Sequence, residues 1–254
     1  SGSPGASPQI RVRGLGTVYG NPNPLYVVDG VWFDDISFLN PEDIENISIL
    51  KDASSQSIYG IRAANGVVLV TTKRGKAGRS SINYNGYVGM QRVTNELEMT
   101  DAREYATLLN EKSALTGGGQ LLDPESFGEG TDWYNVVLRN AVMQNHQLSI
   151  SGGSDKSTYN FSLGYLDQDG VVETHNFKRF TARLQNDFQV LKGLKAGYMV
   201  TGASIKSDDI NGSVVYQSFV APPIIPVRYA DGSYGDPADY PTGNFANPQV
   251  TLDY

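Results

Sequence analysis

Residues 24 to 35 read "PLYVVDGVWFDD" and set Trp32 and Phe33 directly before Asp34 and Asp35. Aromatic faces stack on sugar rings and carboxylates accept hydrogen bonds from hydroxyls, so these residue types suit a glycan contact. They equally suit a structural set, with the rings packed and the aspartates solvated, because large aromatics usually bury area. Tyr19 and Asn21, in the loop before "PLYVVDG", are further candidates on the same reasoning. Val27 and Val28 read as sheet core, and Asp29-Gly30 as a turn, since both residue types tolerate tight backbone geometry.

Other motifs carry less chemistry. "GLGTVYG" has the spacing G-x-G-x-x-x-G and is followed by "NPNP" where a dinucleotide site needs a helix, so it reads as a loop. "GGSDKST" lacks the Gly-Lys pair of a phosphate loop and reads as a hairpin turn. His146 and His175 have no ligand-spaced partners, which argues against zinc. Asp208, Asp209 and Asn211 before Gly212 resemble part of a calcium loop, but no glutamate closes it, so a solvated turn is the reading. No nucleophile, base and orienting group can be named together, so neither an enzyme nor a cofactor site is expected.

The elements that must position these residues change character near Lys76. Before it, "QIRVRG" and "LYVVDG" read as strands stopped by glycine, and Asn40-Pro41 as an N-cap with proline at the first helical position. "ENISILK" sets Ile47 and Ile49 against Asn46 and Ser48. Asp52 can cap a helix "ASSQSIY" ended by Gly60, and the unbroken "GVVLVTT" suits a strand covered on both faces. After "RGKAGRSS" the period becomes two. Tyr159, Phe161, Leu163 and Tyr165 oppose Thr158, Asn160, Ser162 and Gly164; Phe180, Ala182, Leu184 and Phe188 oppose Thr181, Arg183, Gln185 and Asp187. Ile82, Tyr84, Val88 and Met90, then Ala196, Tyr198 and Val200, continue the pattern. A soluble β-sandwich alternates in this way, and so does an outer-membrane barrel with an apolar lipid side and a wet lumen. Link lengths favour the barrel: "GGSDK" and "LKG" are short, whereas 92 to 145, "QDGVVETHN" and the segment after Ser207 are longer. The first long link carries two helix signals. "DAREYATLLNEKSA" has Ala102, Tyr105, Leu108 and Leu109 on one stripe, and "DWYNVVLRNA" follows an Asp132 cap.

Composition narrows the partners. The 254 residues carry a formal charge of -7 with no basic tract, which excludes nucleic acid as a natural partner. There is no cysteine, hence no disulfide framework or thiolate metal site. No stretch approaches the roughly 18 apolar residues of a membrane helix, so any membrane crossing must use strands.

"PLYVVDGV" followed by "LNPEDIENISILKDASSQSIYGIRAANGVVLVTTKRGK" resembles the plug domain of SusC/RagA-type TonB-dependent outer-membrane transporters, and "MQNHQLSISGGSDKSTYNFSLGYLDQDGVV" resembles their early barrel strands. The likeness covers most of residues 9 to 206. It implies an α+β plug domain over 1–76, followed over 77–254 by the first antiparallel strands of a large transmembrane β-barrel with long extracellular loops. It further implies a SusD/RagB-type surface lipoprotein as lid, contact with outer-membrane lipid, and TonB-powered import of bulky nutrients, glycans foremost and peptides as the alternative. The TonB-contacting segment is expected upstream of Ser1, and the remaining strands downstream of Tyr254. Loops after the early plug strands face the outer vestibule in such proteins, which would set Trp32, Phe33, Asp34 and Asp35 beneath the cargo.

Overall fold

The computed structural model describes residues 3–6, 10, 23–51, 57–94, 97–210, 212–243 and 245–254. Its first sheet has four strands, β1 (Leu25–Val28), β2 (Val31–Phe33), β3 (Ile44–Leu50) and β4 (Val67–Thr72), in the order β2-β1-β4-β3. β1 and β4 run parallel at the centre, and β2 and β3 are antiparallel edges. The continuous apolar runs of the two central strands follow from burial on both faces. Tyr26, Val28, Val68 and Val70 form one core with Leu39, while Leu25, Val27 and Val67 form another with Ala63. Each such side chain contributes about 1.5–3 kcal/mol by leaving water.

Three local expectations shift. Asn40 does cap a helix with Pro41 at its start, accepting from the Glu42 N–H at 3.1 Å, but the helix is one 3-10 turn, Pro41–Asp43, that runs straight into β3. The segment Ser57–Ala63 is a pair of 3-10 turns broken at Gly60, whose φ of 66° no helix accommodates; the proposed Asp52 cap lies outside the described residues. Ile47 and Ile49 are exposed. A bulge between Ile44 and Asn46 resets the register, and the two isoleucines then project beside Val70 and Val68 from an edge strand that the core does not reach.

The second sheet is an open meander, β5 (Gly78–Gln91), β6 (Ala141–Ser154), β7 (Ser157–Asp169), β8 (Asn176–Leu191) and β9 (Leu194–Asp208), in sequential order. β6 and β7 pair antiparallel from Met143↔Gln168 to Ser154↔Ser157, so the "GGSDKST" stretch is the expected hairpin. Its faces are inverted relative to a sandwich. Asn145, Gln147, Ser162, Thr181, Arg183 and Gln185 are buried, while Phe180, Leu184, Phe188 and, on the outer strands, Ile82, Val88 and Val200 are exposed. A water-soluble sheet would bury the other set.

By packing, the chain forms two units. One holds residues 1–89, 143–168 and 177–207, and the other 90–142, 169–176 and 208–254. The second contains α1 (Ala102–Leu115), α2 (Trp133–Val137), α3 (Ser213–Val220) and α4 (Pro248–Asp253). Asp101 and Glu104 close a capping box at α1, and Asp132 caps α2 as its spacing predicts. On α1 the buried positions are Ala102 and Ala106, with Tyr105 and Leu109 partly covered; Leu108, expected on that stripe, is exposed, and it is Ala102 that packs with Trp133, Ala221 and Ile225. Among the described residues no helix is long and apolar enough to cross a membrane, which says nothing of strands.

Candidate functional site

The link between β1 and β2 is a two-residue turn with φ of 49° at Asp29 and 90° at Gly30, the geometry that Asp-Gly adopts most readily in a hairpin. Pairing sets Val27 opposite Trp32 and Tyr26 opposite Phe33. Alternation then separates the two rings. Phe33 turns into the sheet core, its centroid 4.8 Å from that of Phe38. Trp32 turns outward, 44% exposed, with Tyr59 at 6.2 Å and the Arg62 guanidinium 5.9 Å from its ring centre. Arg62 also forms an exposed ion pair with Asp34. Asp35 accepts from the Ser37 N–H at 3.1 Å; burial, with help from the Asp35 charge, pushes the Tyr26 hydroxyl pKa up.

The four predicted residues therefore divide. Trp32 and Asp34 share an exposed cluster, Phe33 is core and Asp35 closes a turn. Tyr19 and Asn21 lie outside the described residues. Tyr59 and Arg62 complete the cluster, and sequence reasoning missed them because they come from a segment separated from Trp32 by all of β3. Ring, guanidinium and carboxylate together offer a stacking face, donors and acceptors, which suits a polyhydroxylated ligand.

Asp29 has a second role beyond its turn. Its carboxylate accepts from the Thr72 N–H at 3.1 Å and from the Thr72 hydroxyl, and it pairs with Arg183 of β8 at 3.2 Å. The side chains of Arg183 and Asp29 are only 4% and 3% exposed. Arg183 also donates to the Thr72 hydroxyl and, at 3.1 Å, to Gln185 Oε1. A parallel hydrogen-bonded chain runs from Asn40 to Gln147 and from Gln147 Nε2 to the Asp43 carboxylate at 2.7 Å. Arg179 donates to the Ser37 carbonyl at 2.7 Å, and Asn160 to the Lys73 carbonyl at 2.9 Å. The polar face of the second sheet is thus the bed on which the first sheet rests. The alternation predicted this face but not its occupant.

Asp209 lies 3.6 Å from His175 Nε2, and Asn211 is outside the described residues. No group of three metal-ligating side chains occurs among the described residues.

An α/β unit held on the polar inner face of an inside-out antiparallel sheet is the arrangement of a plugged outer-membrane barrel. Residues 1–67 match the TonB-dependent Receptor Plug Domain family. A TonB-dependent receptor of Formosa agariphila is 37% identical over 97% of this chain and 26% of its own length. The TonB-dependent receptor SusC of Bacteroides thetaiotaomicron is 39% identical over 71% of this chain and 18% of its own length. The structure of the RagAB peptide transporter superposes with a TM-score of 0.81 at 28% identity, over 98% of this chain and 33% of that one. The chain belongs to the TonB-dependent receptors of the SusC/RagA type. It spans about a quarter of the length of the Formosa relative, 26%.

Proposed function

We propose that the whole protein imports bulky nutrients, oligosaccharides foremost, across the bacterial outer membrane, energised through TonB and capped by a SusD/RagB-type lipoprotein. Residues 1–76 act as the plug and 77–254 as the first part of the barrel, with the long links outside. The observation that carries this reading is the inverted second sheet, whose buried polar face grips the first sheet through Asp29, Thr72 and Arg183. A binding module that stayed in water would gain nothing from exposing Phe180, Leu184 and Phe188. The exposed cluster of Trp32, Asp34 and Arg62 supports the oligosaccharide reading of the cargo. Oligopeptide import is the second reading, favoured by the likeness to the RagAB peptide transporter.

Deleting the full gene and growing the strain on single nutrient sources tests the proposal. Loss of growth on one oligosaccharide class is the expected outcome, and a peptide-only defect would favour the second reading. A monodisperse full-length protein in detergent-free buffer would refute membrane insertion, and turnover of oligosaccharides by the purified protein would refute a purely transporting role.

A further inference from the structure

Beside α2 the second unit holds a cavity of about 570 Å³, bounded by residues 92–94 after β5, by α2 itself, and by residues 138–140 ahead of β6. Its charge is opposite to that of the chain. The sequence carries 27 acidic against 20 basic residues, yet Arg92 and Arg139 both line this cavity and, among the described residues, no aspartate or glutamate does. Arg139 is fixed by the link between β7 and β8. Its backbone N–H donates to the Val171 carbonyl at 2.8 Å, its Nε to the Gly170 carbonyl at 3.0 Å, and its Nη2 to the His175 carbonyl at 3.2 Å and the Asn176 amide oxygen at 2.9 Å. Its Nη1 is left over: the Glu173 carboxylate lies 3.6 Å away, close enough for an ion pair and too far for a hydrogen bond. Arg92 makes neither a hydrogen bond nor an ion pair among the described residues, and the Asn140 side chain makes no hydrogen bond among them. Asn135 gives its amide N–H to Asp132 at 2.6 Å and keeps its amide oxygen as an acceptor.

Two guanidiniums on one cavity, one anchored and one free to swing, fit an oxyanion, which arginine meets with paired N–H donors. The size of the space shows that the anion carries a body. A cavity of this volume lies in the range of small-molecule sites and far exceeds what a bare inorganic ion fills. Leu138 and the Tyr134 ring, which meets Phe219 edge-on at 5.0 Å, offer apolar area to the C–H face of a ring. Thr94, Asn135 and Asn140 offer donors and acceptors to hydroxyls. A sugar bearing a carboxylate or a sulfate meets all three demands at once. An acidic peptide is the lesser fit, because the cavity is built from a helix and two segments outside the named strands, which give a peptide backbone no ladder to join.

We infer that this cavity binds an acidic sugar through Arg92 and Arg139, and that the oligosaccharide cargo is accordingly an anionic one. The inference rests on the oligosaccharide reading of the cargo, and its test separates the two. Full-length receptor, purified in detergent with any lipoprotein that accompanies it, is applied to an array of oligogalacturonates, oligomannuronates, the methyl esters of both, sulfated galactan oligomers, neutral glucan and mannan oligomers, and acidic peptides. Retention on a uronate or sulfated set is expected, at least tenfold stronger than on the methyl esters and the neutral glycans, and the set retained tells carboxylate from sulfate. Arg92→Gln should weaken that retention at least tenfold, and Arg92→Lys, which keeps the charge, should weaken it less. Arg92 makes no hydrogen bond or ion pair, so its replacement leaves the fold intact, whereas Arg139→Gln also releases the β7–β8 link and is compared at equal thermal midpoint. Retention of neutral glycans alone would leave oligosaccharide import standing and overturn the acidic site. Acidic glycans held equally well by Arg92→Gln would overturn the assignment to this cavity. Retention of the peptides alone would remove the oligosaccharide reading and the inference with it, and retention of nothing on the array would overturn the inference.

Discussion

Trp32 presents its ring outward while its hairpin neighbour Phe33 is half-buried against the core, so the two aromatics can be tested independently. In the complete transporter, Trp32→Ala should weaken cargo affinity about fivefold, on the order of 1 kcal/mol for a lost stacking face, without lowering abundance. Phe33→Ala should do the reverse, reducing abundance by opening a cavity beside Phe38 and Leu39 while cargo affinity per folded molecule stays unchanged. Isothermal titration with an imported nutrient and quantitative immunoblotting of membranes separate the two outcomes. Asp29 allows a cleaner substitution. Asparagine tolerates the left-handed backbone at φ 49° but removes the charge facing Arg183. Asp29→Asn should therefore lower unfolding stability by about 3 kcal/mol, and adding Arg183→Met should recover most of it, because an unpaired buried charge costs more than the pair contributes. Equal thermal midpoints in all three proteins would contradict this. At this scale the sequence showed residue types but not sidedness. Nothing local distinguishes Trp32 from Phe33 or Asp34 from Asp35; the pairing register does, and it brings in Arg62 from far along the chain.

The long strands were the most legible elements, since strict alternation over a dozen residues fits a strand and little else. Helix signals were sound where a side chain supplies the cap, as Asp101 and Asp132 do. They failed where packing decided. Their edge position leaves Ile47 and Ile49 exposed beside the buried Val70 and Val68, and the packing of Ala102 against Trp133 and Ile225 leaves Leu108 outside the core; neither leaves a trace in local periodicity. β7 supplies an element-scale prediction. A Cβ at Gly164 would sit 2.3 Å from Asn40 Nδ2, 2.6 Å from Thr181 Oγ1 and 2.8 Å from Gln147 Oε1. Gly164→Val should push the Asn40–Gln147–Asp43 chain apart while leaving the strand's own pairing intact. Trypsin should then cleave the Lys73–Lys76 linker several times faster in the purified full-length protein, with unchanged barrel mobility on a gel. Unaltered cleavage would show that the inner face has slack at this point.

Across the whole molecule, the proposed function implies a topology that the link lengths can test. Asp155-Lys156 and Lys192-Gly193 are two-residue turns, whereas 92–140, 170–175 and the segment after Asp208 are longer. On the proposed function a plug entering from the periplasm would send β5 outward, which would set the tight turns on the periplasmic side and the long links outside. The absence of native cysteine in this chain makes the experiment clean. On intact cells an impermeant thiol reagent should label Leu115→Cys, at a side chain 89% exposed in the first long link, and spare Asp155→Cys. The opposite pattern would invert the topology. What the chain's own residues could not show at this scale was the partner of the wall's polar face, because sheet faces are written in the sequence and what rests on them is not. That face has a mechanical meaning. Its amides, such as Gln147 and Asn160, could trade a protein partner for water at a net cost of only about 1 kcal/mol each, and would then behave as a lubricated bearing. Arg183 and Asp29 cannot make that trade cheaply. If the plug is pulled, as the proposed function requires, the pair would act as a clutch: the load would rise until it slipped, and the rest of the bed would then slide with little friction.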